Sequence, residues 1–173
     1  MSARIFRYEI NRTSTASPEV LFELETDAKR WSEWGKPLIV QAGWERWADP
    51  PGAVGTIRRL GLWPVLMFEE TVEYEQNRRH VYTFARRAPV RDYRAEVLLT
   101  PNASGGTELC WRGSFTERLP RSGPLTLFLL RRVLLLLSAR LVRSAERISA
   151  RTETEEGAAQ RIDGGRLGQS ESR

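Results

Sequence analysis

The chain has 173 residues, enough for one domain with a sizeable hydrophobic core and few for two. Hydrophobic residues make up 40% of it and charged residues 28%, a balance that is typical of globular proteins and excludes disorder throughout. The net charge of +5 suggests nucleic-acid binding, but the 27 basic residues are scattered among 22 acidic ones, so we expect no nucleic-acid partner.

Cysteine usage and local hydropathy exclude further classes of protein. Cys110 is the only cysteine, so the chain has no internal disulfide and no cysteine-based zinc site. With a single histidine as well, we expect no metal and no cofactor. The leucine-rich stretch 125–142 carries Arg131 and Arg132 near its centre, where charge in hydrocarbon is costly, so we expect no transmembrane segment.

The first elements are predicted to be a strand and two short helices. Residues 4–12 alternate between apolar and polar side chains, as a half-buried strand does. Ser17 followed by Pro18 is typical of a helix start, and the short helix is expected to end at Leu24. A second helical turn follows Asp27 and carries two tryptophans.

Six further strands are predicted from apolar segments separated by turn clusters. Their ranges are 38–47, 54–60, 66–75, 80–86, 91–100 and 107–118. In the segment 66–75, strict alternation places Phe68, Glu70, Val72 and Tyr74 on one face of the strand. Strands at this spacing with tight turns favour a meandering antiparallel sheet.

The last predicted element is one long helix, which begins at Gly123. On a 100° wheel, Leu130 and Leu134 share an apolar face and most of the arginines lie opposite, as in an amphipathic helix laid on a sheet. The ligand-binding domain is therefore expected to comprise residues 1–150. From residue 151 the composition is polar, which predicts a disordered tail at 151–173.

This order of elements predicts an α+β fold, with a seven-stranded curved antiparallel sheet around the C-terminal helix and two short helices after strand one. One helix cannot fill the concave side of such a sheet, so a cavity for a small apolar ligand is expected between them. The candidate ligand-binding residues are Trp34, Arg58, Phe68, Glu70, Val72, Tyr82, Phe84, Trp111, Phe115, Leu130 and Leu134.

Five segments give the chain a family resemblance. They are residues 16–22 after strand one, 31–34 in the second helix, 52–56 before strand three, 68–75 in strand four and 105–111 before and within strand seven. In their order and spacing the sequence resembles the SRPBCC superfamily of START-related lipid-transfer and polyketide cyclase/dehydrase proteins, which have the helix-grip fold. The resemblance implies a hydrophobic-ligand cavity; it does not imply a single chemistry, because carriers, receptors and cyclases share this fold.

Three residues, Glu70, Arg58 and Tyr74, are candidates for catalysis. Glu70 could point into the cavity as an acid or base, or pair with Arg58 or Arg59 on the neighbouring strand, and we favour the ion pair. Arg58 and Arg59 are adjacent, so one of them faces inward and the sequence does not say which. Tyr74 and Tyr82 are hydroxyl donors or, as we favour, anchors of the core.

The histidine and the tryptophans are interpreted as structural. His80 lies in a polar turn, and we predict a solvated turn residue in preference to a general base. The dense tryptophans could gate a ligand or staple the helices to the sheet, and we favour packing. They are Trp31, Trp34, Trp44 and Trp47.

Three functions stay open at this stage. We favour a carrier or sensor that binds a lipid-like or polyketide-like molecule. The alternative is an enzyme of the cyclase, aromatase or dehydratase type in the same cavity. An interaction protein that meets a partner or a membrane through its leucine-rich helix is disfavoured by the arginines on the helix's outer face. We expect a cytoplasmic, bacterial protein and leave a homodimer open.

Overall fold

The computed structural model describes residues 4–167 and shows one sheet with three α-helices. The strands are β1 Ile5–Ser14, β2 Gln41–Arg46, β3 Ile57–Leu62, β4 Val65–Glu75, β5 Arg79–Phe84, β6 Val90–Pro101 and β7 Thr107–Glu117. The helices are α1 Pro18–Thr26, α2 Trp31–Trp34 and α3 Gly123–Leu167, with a 3₁₀ turn at Ala28–Arg30 before α2. The predicted α+β helix-grip architecture is confirmed.

The seven strands form one antiparallel sheet in the order β1-β7-β6-β5-β4-β3-β2. From β2 to β7 each strand pairs with the next in the chain, as a meander does. The first strand instead pairs with the last, from Ile5 opposite Thr116 to Ser14 opposite Thr107. Non-local pairing of β1 with β7 therefore completes the sheet at one edge, and β2 forms the other edge.

The hydrophobic core lies between the sheet and α3, because every second side chain of the strands points to that side. In β1 these are Phe6, Tyr8 and Ile10, all buried. Phe6 stacks on Phe115 of β7 with ring centroids 5.4 Å apart. Gly123, the first residue of α3, lies so close to Phe6 that a Cβ atom would be 2.1 Å from its ring. The aromatic pair thus fixes where the long helix starts.

Helix α3 buries one face against the sheet, through Leu134, Leu137 and Leu141. The helix does not end near residue 150. We expected no ordered structure from residue 151, but the helix continues to Leu167, and residues 168–173 lie outside the described residues. The composition of this segment is compatible with a helix, since Glu, Arg, Ala and Gln are good helix formers.

The opposite face of the sheet is covered by charged side chains. Arg79 donates hydrogen bonds to Glu73 and Glu96, Arg94 donates to Glu73, and Arg112 donates to Glu96. These ion pairs link β4, β5, β6 and β7 across the outer surface. A solvated network of this kind contributes little stability pair by pair, and it marks the face that does not hold the core.

Candidate functional site

A cavity opens between the sheet and the N-terminal turns of α3, and we call it the apolar cleft. Its lining residues are Val65, Leu66, Met67, Phe68, Phe84, Arg86, Arg87, Ala88, Pro89, Val90, Tyr93, Thr126 and Leu130. The cleft has a volume of about 200 Å³ and is open to solvent at one end of the molecule. Thr126 and Leu130 are its lining residues from α3, and the others come from β4, β5, β6 and the loop between β5 and β6.

Two stacked aromatic rings form one side of the apolar cleft. Phe84 of β5 and Tyr93 of β6 lie with ring centroids 4.2 Å apart and planes inclined by 18°. The Tyr93 hydroxyl is hydrogen-bonded to the Tyr8 hydroxyl at 2.9 Å. Burial raises the pKa of Tyr93 well above its ordinary value, so this group is a neutral phenol at physiological pH. The cleft therefore presents apolar ring faces, and its one buried hydroxyl already has a partner.

Arginines flank the mouth of the apolar cleft. The Arg86 guanidinium lies 3.8 Å from the centroid of the Phe68 ring and pairs with Glu45. Arg87 beside it is exposed. The mouth thus combines apolar walls with positive charge, whereas the depth of the cleft is uncharged.

Beyond the stacked pair the interior is solidly packed. Trp111, Tyr82 and Phe115 are each less than 2% exposed. The Trp111 indole donates a hydrogen bond of 3.0 Å to the Tyr82 hydroxyl. The Tyr82 ring lies 6.3 Å from that of Tyr93, centroid to centroid. The apolar cleft therefore lies at the N-terminal turns of α3, and the rings behind the stacked pair belong to the hydrophobic core.

A buried charged cluster, which comprises Arg58, Glu69, Glu25 and His80, lies on the far side of this core. The Arg58 Nε donates to Glu69 at 2.8 Å, and its Nη1 donates to the Glu25 carboxylate at 3.0 Å and to the Glu25 carbonyl at 2.7 Å. The guanidinium also lies 4.5 Å from the ring centroid of Tyr82. Its Nη2 is buried with no hydrogen-bond partner among the described residues.

His80 extends the cluster into a chain of hydrogen bonds. Its Nδ1 lies 2.8 Å from the Glu25 carboxylate, to which it donates, and its Nε2 lies 2.9 Å from the Thr71 hydroxyl. Thr71 in turn contacts the Thr56 hydroxyl at 3.1 Å. The prediction that His80 is a solvated turn residue is wrong: β5 begins at Arg79, so His80 already points inward and is fully buried.

The two carboxyl groups of the cluster have opposite pKa shifts. Burial by itself would raise the pKa of Glu25, but contacts with His80 and Arg58 outweigh it and hold that pKa below its ordinary value. Burial raises the pKa of Glu69 above its ordinary value, because it outweighs the opposing effect of the hydrogen-bonded Arg58. Glu25 has two hydrogen-bonded partners and Glu69 one, which accounts for the difference.

The alternation of β4 differs from the predicted one. The register of β3 with β4 pairs Arg58 with Glu69, and both point inward. Glu70 therefore points to the other side of the sheet, where it pairs with Arg46 at 2.5 Å. The favoured ion pair exists, but with a different arginine. A β-bulge between Thr71 and Glu73 then shifts the phase, so that Tyr74 again faces the core.

The predicted ligand-binding residues fall into three groups. Phe68, Phe84 and Leu130 line the apolar cleft. Val72 lies half-buried at the bulge, and Glu70 is on the outer side. The remaining predicted residues are core or cluster residues behind the cleft: Trp34, Arg58, Tyr82, Trp111, Phe115 and Leu134. The structure also shows that Arg58 is the inward arginine and Arg59 the exposed one.

The tryptophans of the short helices mainly anchor the end of α1 through hydrogen bonds. The Trp31 indole donates to the Glu25 carbonyl at 2.7 Å, and the Trp34 indole donates to the Leu24 carbonyl at 3.1 Å. Both rings are buried, whereas Trp47 is exposed. These bonds fix the C-terminal end of α1 and so position the carboxylate of Glu25 inside the fold.

Two residues that matter for the site were missed from the sequence. Tyr93 belongs to a strand in which Ala95, Val97 and Leu99 are buried, so the same alternation could have identified it as inward. Glu25 carries no comparable signal, because a glutamate at the end of a short helix is usually solvated.

No group of three or more metal-binding side chains occurs within the described part of the chain. Within residues 4–167, no helix has the length and apolar character needed to cross a membrane.

Comparison with known proteins places the fold. The profile of the family described as polyketide cyclase / dehydrase and lipid transport matches residues 6–151. Among solved structures, a START superfamily protein from Mycobacterium smegmatis superposes with a TM-score of 0.69 at 15% identity, over 82% of this chain and 98% of that one. No curated protein matches the sequence.

Two enzymes have the same fold. The Zhui aromatase/cyclase from Streptomyces sp. R1128 superposes with a TM-score of 0.69 at 14% identity, over 83% of this chain and 95% of that one. Norcoclaurine synthase from Thalictrum flavum superposes with a TM-score of 0.60 at 13% identity, over 86% of this chain and 99% of that one. At these identities the similarity establishes a common architecture.

Proposed function

We propose that this chain, which belongs to the polyketide cyclase / dehydrase and lipid transport family, binds a small apolar molecule in the apolar cleft as a carrier or sensor. One observation carries the proposal: the cleft is walled by apolar and aromatic side chains, while the buried cluster of Arg58, Glu69, Glu25 and His80 does not line it. A site of this composition selects a ligand by shape and apolar area.

The size of the cleft limits the ligand. An engineered protein cavity of about 150 Å³ accepts benzene. The apolar cleft, at about 200 Å³, is somewhat larger and open at one end. A molecule with one or two fused rings, or the end of an alkyl chain, would fill it, and the rest of a longer ligand would extend past the mouth. Lipid-like and polyketide-like molecules both meet this description.

The alternative, an enzyme of the cyclase or dehydratase type, needs an acid or base in contact with the ligand. Glu70 is on the outer side of the sheet, and Arg58 lies behind packed rings with both of its carboxylate partners. Tyr74 packs edge-on against Phe22 at 5.2 Å and does not line the cleft. These positions support binding without turnover.

A cleft-filling variant tests the proposal. Leu130→Trp places an indole in the cleft, whereas Leu119→Trp makes the same change at an exposed leucine outside it. With 2-naphthol as the probe, followed by isothermal titration calorimetry, we expect the native chain and Leu119→Trp to bind alike. Leu130→Trp should bind more than about tenfold more weakly, because the probe and the indole compete for one volume.

The same experiment can overturn the proposal. Equal binding of 2-naphthol by both variants would place the ligand elsewhere, and no binding by the native chain would show that the cleft is not a ligand site. Native mass spectrometry of the purified protein, followed by extraction, identifies a co-purifying molecule. If that molecule is chemically changed after incubation with the native chain and unchanged with Leu130→Trp, the enzymatic alternative replaces binding without turnover.

A further inference from the structure

Helix α3 carries a second apolar face that the fold leaves uncovered. Leu125, Phe128 and Leu129 in its first turns are each more than half exposed, and Leu135 and Leu136 continue the stripe two turns later. Their spacing of three, four and seven residues is that of one side of a helix. This side lies opposite the face that packs on the sheet through Leu134 and Leu137. The outer face of the helix therefore carries exposed apolar side chains beside the arginines that the sequence places there.

A second exposed apolar group lies across the mouth of the apolar cleft. The β3–β4 hairpin ends in Leu62, Trp63, Pro64 and Val65, in which Trp63 is 73% and Val65 71% exposed. Val65 lines the cleft together with Leu130 of α3. The hairpin tip and the first turns of α3 thus flank one opening, and both present large apolar side chains to solvent.

The segment that carries the first turns of α3 has charge of one sign. Residues 118–145 contain six arginines and no aspartate or glutamate. Two of them, Arg131 and Arg132, line a shallow groove together with Phe128 and Leu135. The Arg132 guanidinium lies 5.2 Å from the centroid of the Phe128 ring, so its aliphatic stem runs along the apolar stripe. Apolar side chains and arginines therefore occupy the same turns of the helix.

We propose that the hairpin tip and the exposed stripe of α3 form a docking surface for an anionic lipid bilayer. An amphipathic helix binds at such an interface when its apolar side chains enter the acyl boundary and its basic groups meet the phosphates. Tryptophan, as at the hairpin tip, is favoured at this depth, and arginine stems lie along apolar surface with their heads at the polar layer. Docking would bring the mouth of the apolar cleft to the lipid.

A second copy of the chain fits this surface less well. A twofold interface would bring Arg131 and Arg132 of one protomer near the same residues of the other, with no acidic group in residues 118–145 to neutralise them. A bilayer with anionic headgroups supplies both the apolar layer and the opposite charge. The docking proposal does not require the proposed ligand, but it identifies a route by which a lipid-soluble ligand reaches the cleft.

Vesicle flotation with the full chain tests the proposal. We expect the protein to float with vesicles of phosphatidylcholine and phosphatidylglycerol in a ratio of about three to one, and to bind pure phosphatidylcholine weakly. Arg131→Gln combined with Arg132→Gln should weaken binding to the anionic vesicles about thirtyfold. Arg147→Gln combined with Arg151→Gln changes the net charge equally at exposed positions later in α3, and should stay within about threefold of the native chain.

A tryptophan pair isolates the apolar contribution. Trp63→Ala should weaken binding to the anionic vesicles about tenfold. Trp47→Ala removes a 59% exposed ring near the opposite end of β3 and should change nothing. If the two arginine double variants lose equal affinity for the anionic vesicles, binding depends on net charge alone and the proposal is overturned. Failure of the native chain to float would also overturn it.

Size-exclusion chromatography and 2-naphthol binding distinguish the remaining outcomes. A native dimer that the Trp63→Ala change dissociates would assign the surface to a second copy, against the proposal. Unchanged binding of 2-naphthol in solution by the docking variants is expected, because the substituted side chains lie outside the cleft. Failure of docking and failure of the cleft as a ligand site are therefore separate results.

Discussion

Replacement of Arg58 by methionine should be among the most damaging single changes in the chain. Arg58 donates three hydrogen bonds to Glu25 and Glu69, whose side chains are 1% and 7% exposed. Methionine keeps most of the volume but leaves two buried carboxyl groups without their cation. Breaking a buried ion pair from one side costs about 3–5 kcal/mol, a large share of a total stability of about 5–15 kcal/mol.

Urea unfolding followed by circular dichroism measures this loss. At a slope near 2 kcal/mol per molar urea, the midpoint should fall by about 1.5–2.5 M. Arg59→Met, at the exposed neighbouring position of β3, is the matched control and should shift the free energy of unfolding by less than about 0.5 kcal/mol.

The loss of unfolding free energy in Arg58→Met relative to the native chain, which we call the deficit, should depend on pH, and this dependence tests its cause. Without Arg58 the pKa of Glu69, already raised by burial, rises further, so the folded variant binds more protons than its unfolded chain. Its stability then falls as pH rises, by about 1.4 kcal/mol per pH unit for each extra proton bound. Between pH 7 and pH 5 the deficit should shrink by at least about 1 kcal/mol. A deficit that is small at pH 7, or equal at both values, would refute the assignment of Arg58 as counter-ion to buried carboxylates.

Two further changes probe the interior. Glu25 has a pKa below its ordinary value, so the stability that it contributes is complete above its unfolded pKa of about 4.3 and is lost as pH falls through its folded pKa. Glu25→Gln should therefore be less stable than the native chain at neutral pH. Its urea midpoints should also vary less with pH below about pH 4. In Gly113→Ala the new Cβ atom would lie 2.5 Å from the Tyr8 hydroxyl oxygen and 2.7 Å from the Arg94 carbonyl oxygen, so thermal unfolding should show a loss of about 1–3 kcal/mol. An unchanged melting temperature would show that β6 and β7 can separate there.

The fold could be predicted because its signals are local and repeated. Alternation and turn clusters placed the last strand at 107–118, and the structure has it at Thr107–Glu117. The antiparallel meander follows from short connections, and the long amphipathic helix from its spacing of leucines. Each of these patterns reports backbone geometry directly, so a single sequence suffices.

The site could be predicted only in part, because small shifts of register decide which side chain points inward. The inward face of β4 begins one residue away from the predicted phase, with Glu69 inward in place of Glu70, and a bulge between Thr71 and Glu73, which has no sequence signature, returns Tyr74 to that face. The one-residue difference in where β5 begins likewise turned His80 from a turn residue into a buried one. Its partner Glu25 comes from a helix far away in the sequence, and alternation carries no information about such contacts.

The adjacency of β1 and β7 sets the order in which the chain can fold. Residues 5–14 pair only with residues 107–116 within the sheet, so β1 cannot form its pairing until β7 has been synthesised. Bringing the two strands together loses chain entropy before any stabilising contact between them has formed. Topologies with such non-local pairs therefore fold slowly. During synthesis the hairpins from β2 to β6 can pair in sequence, whereas Phe6, Tyr8 and Ile10 stay exposed until β7 emerges. Truncation before residue 107 should therefore leave a chain that binds chaperones through its N-terminal strand.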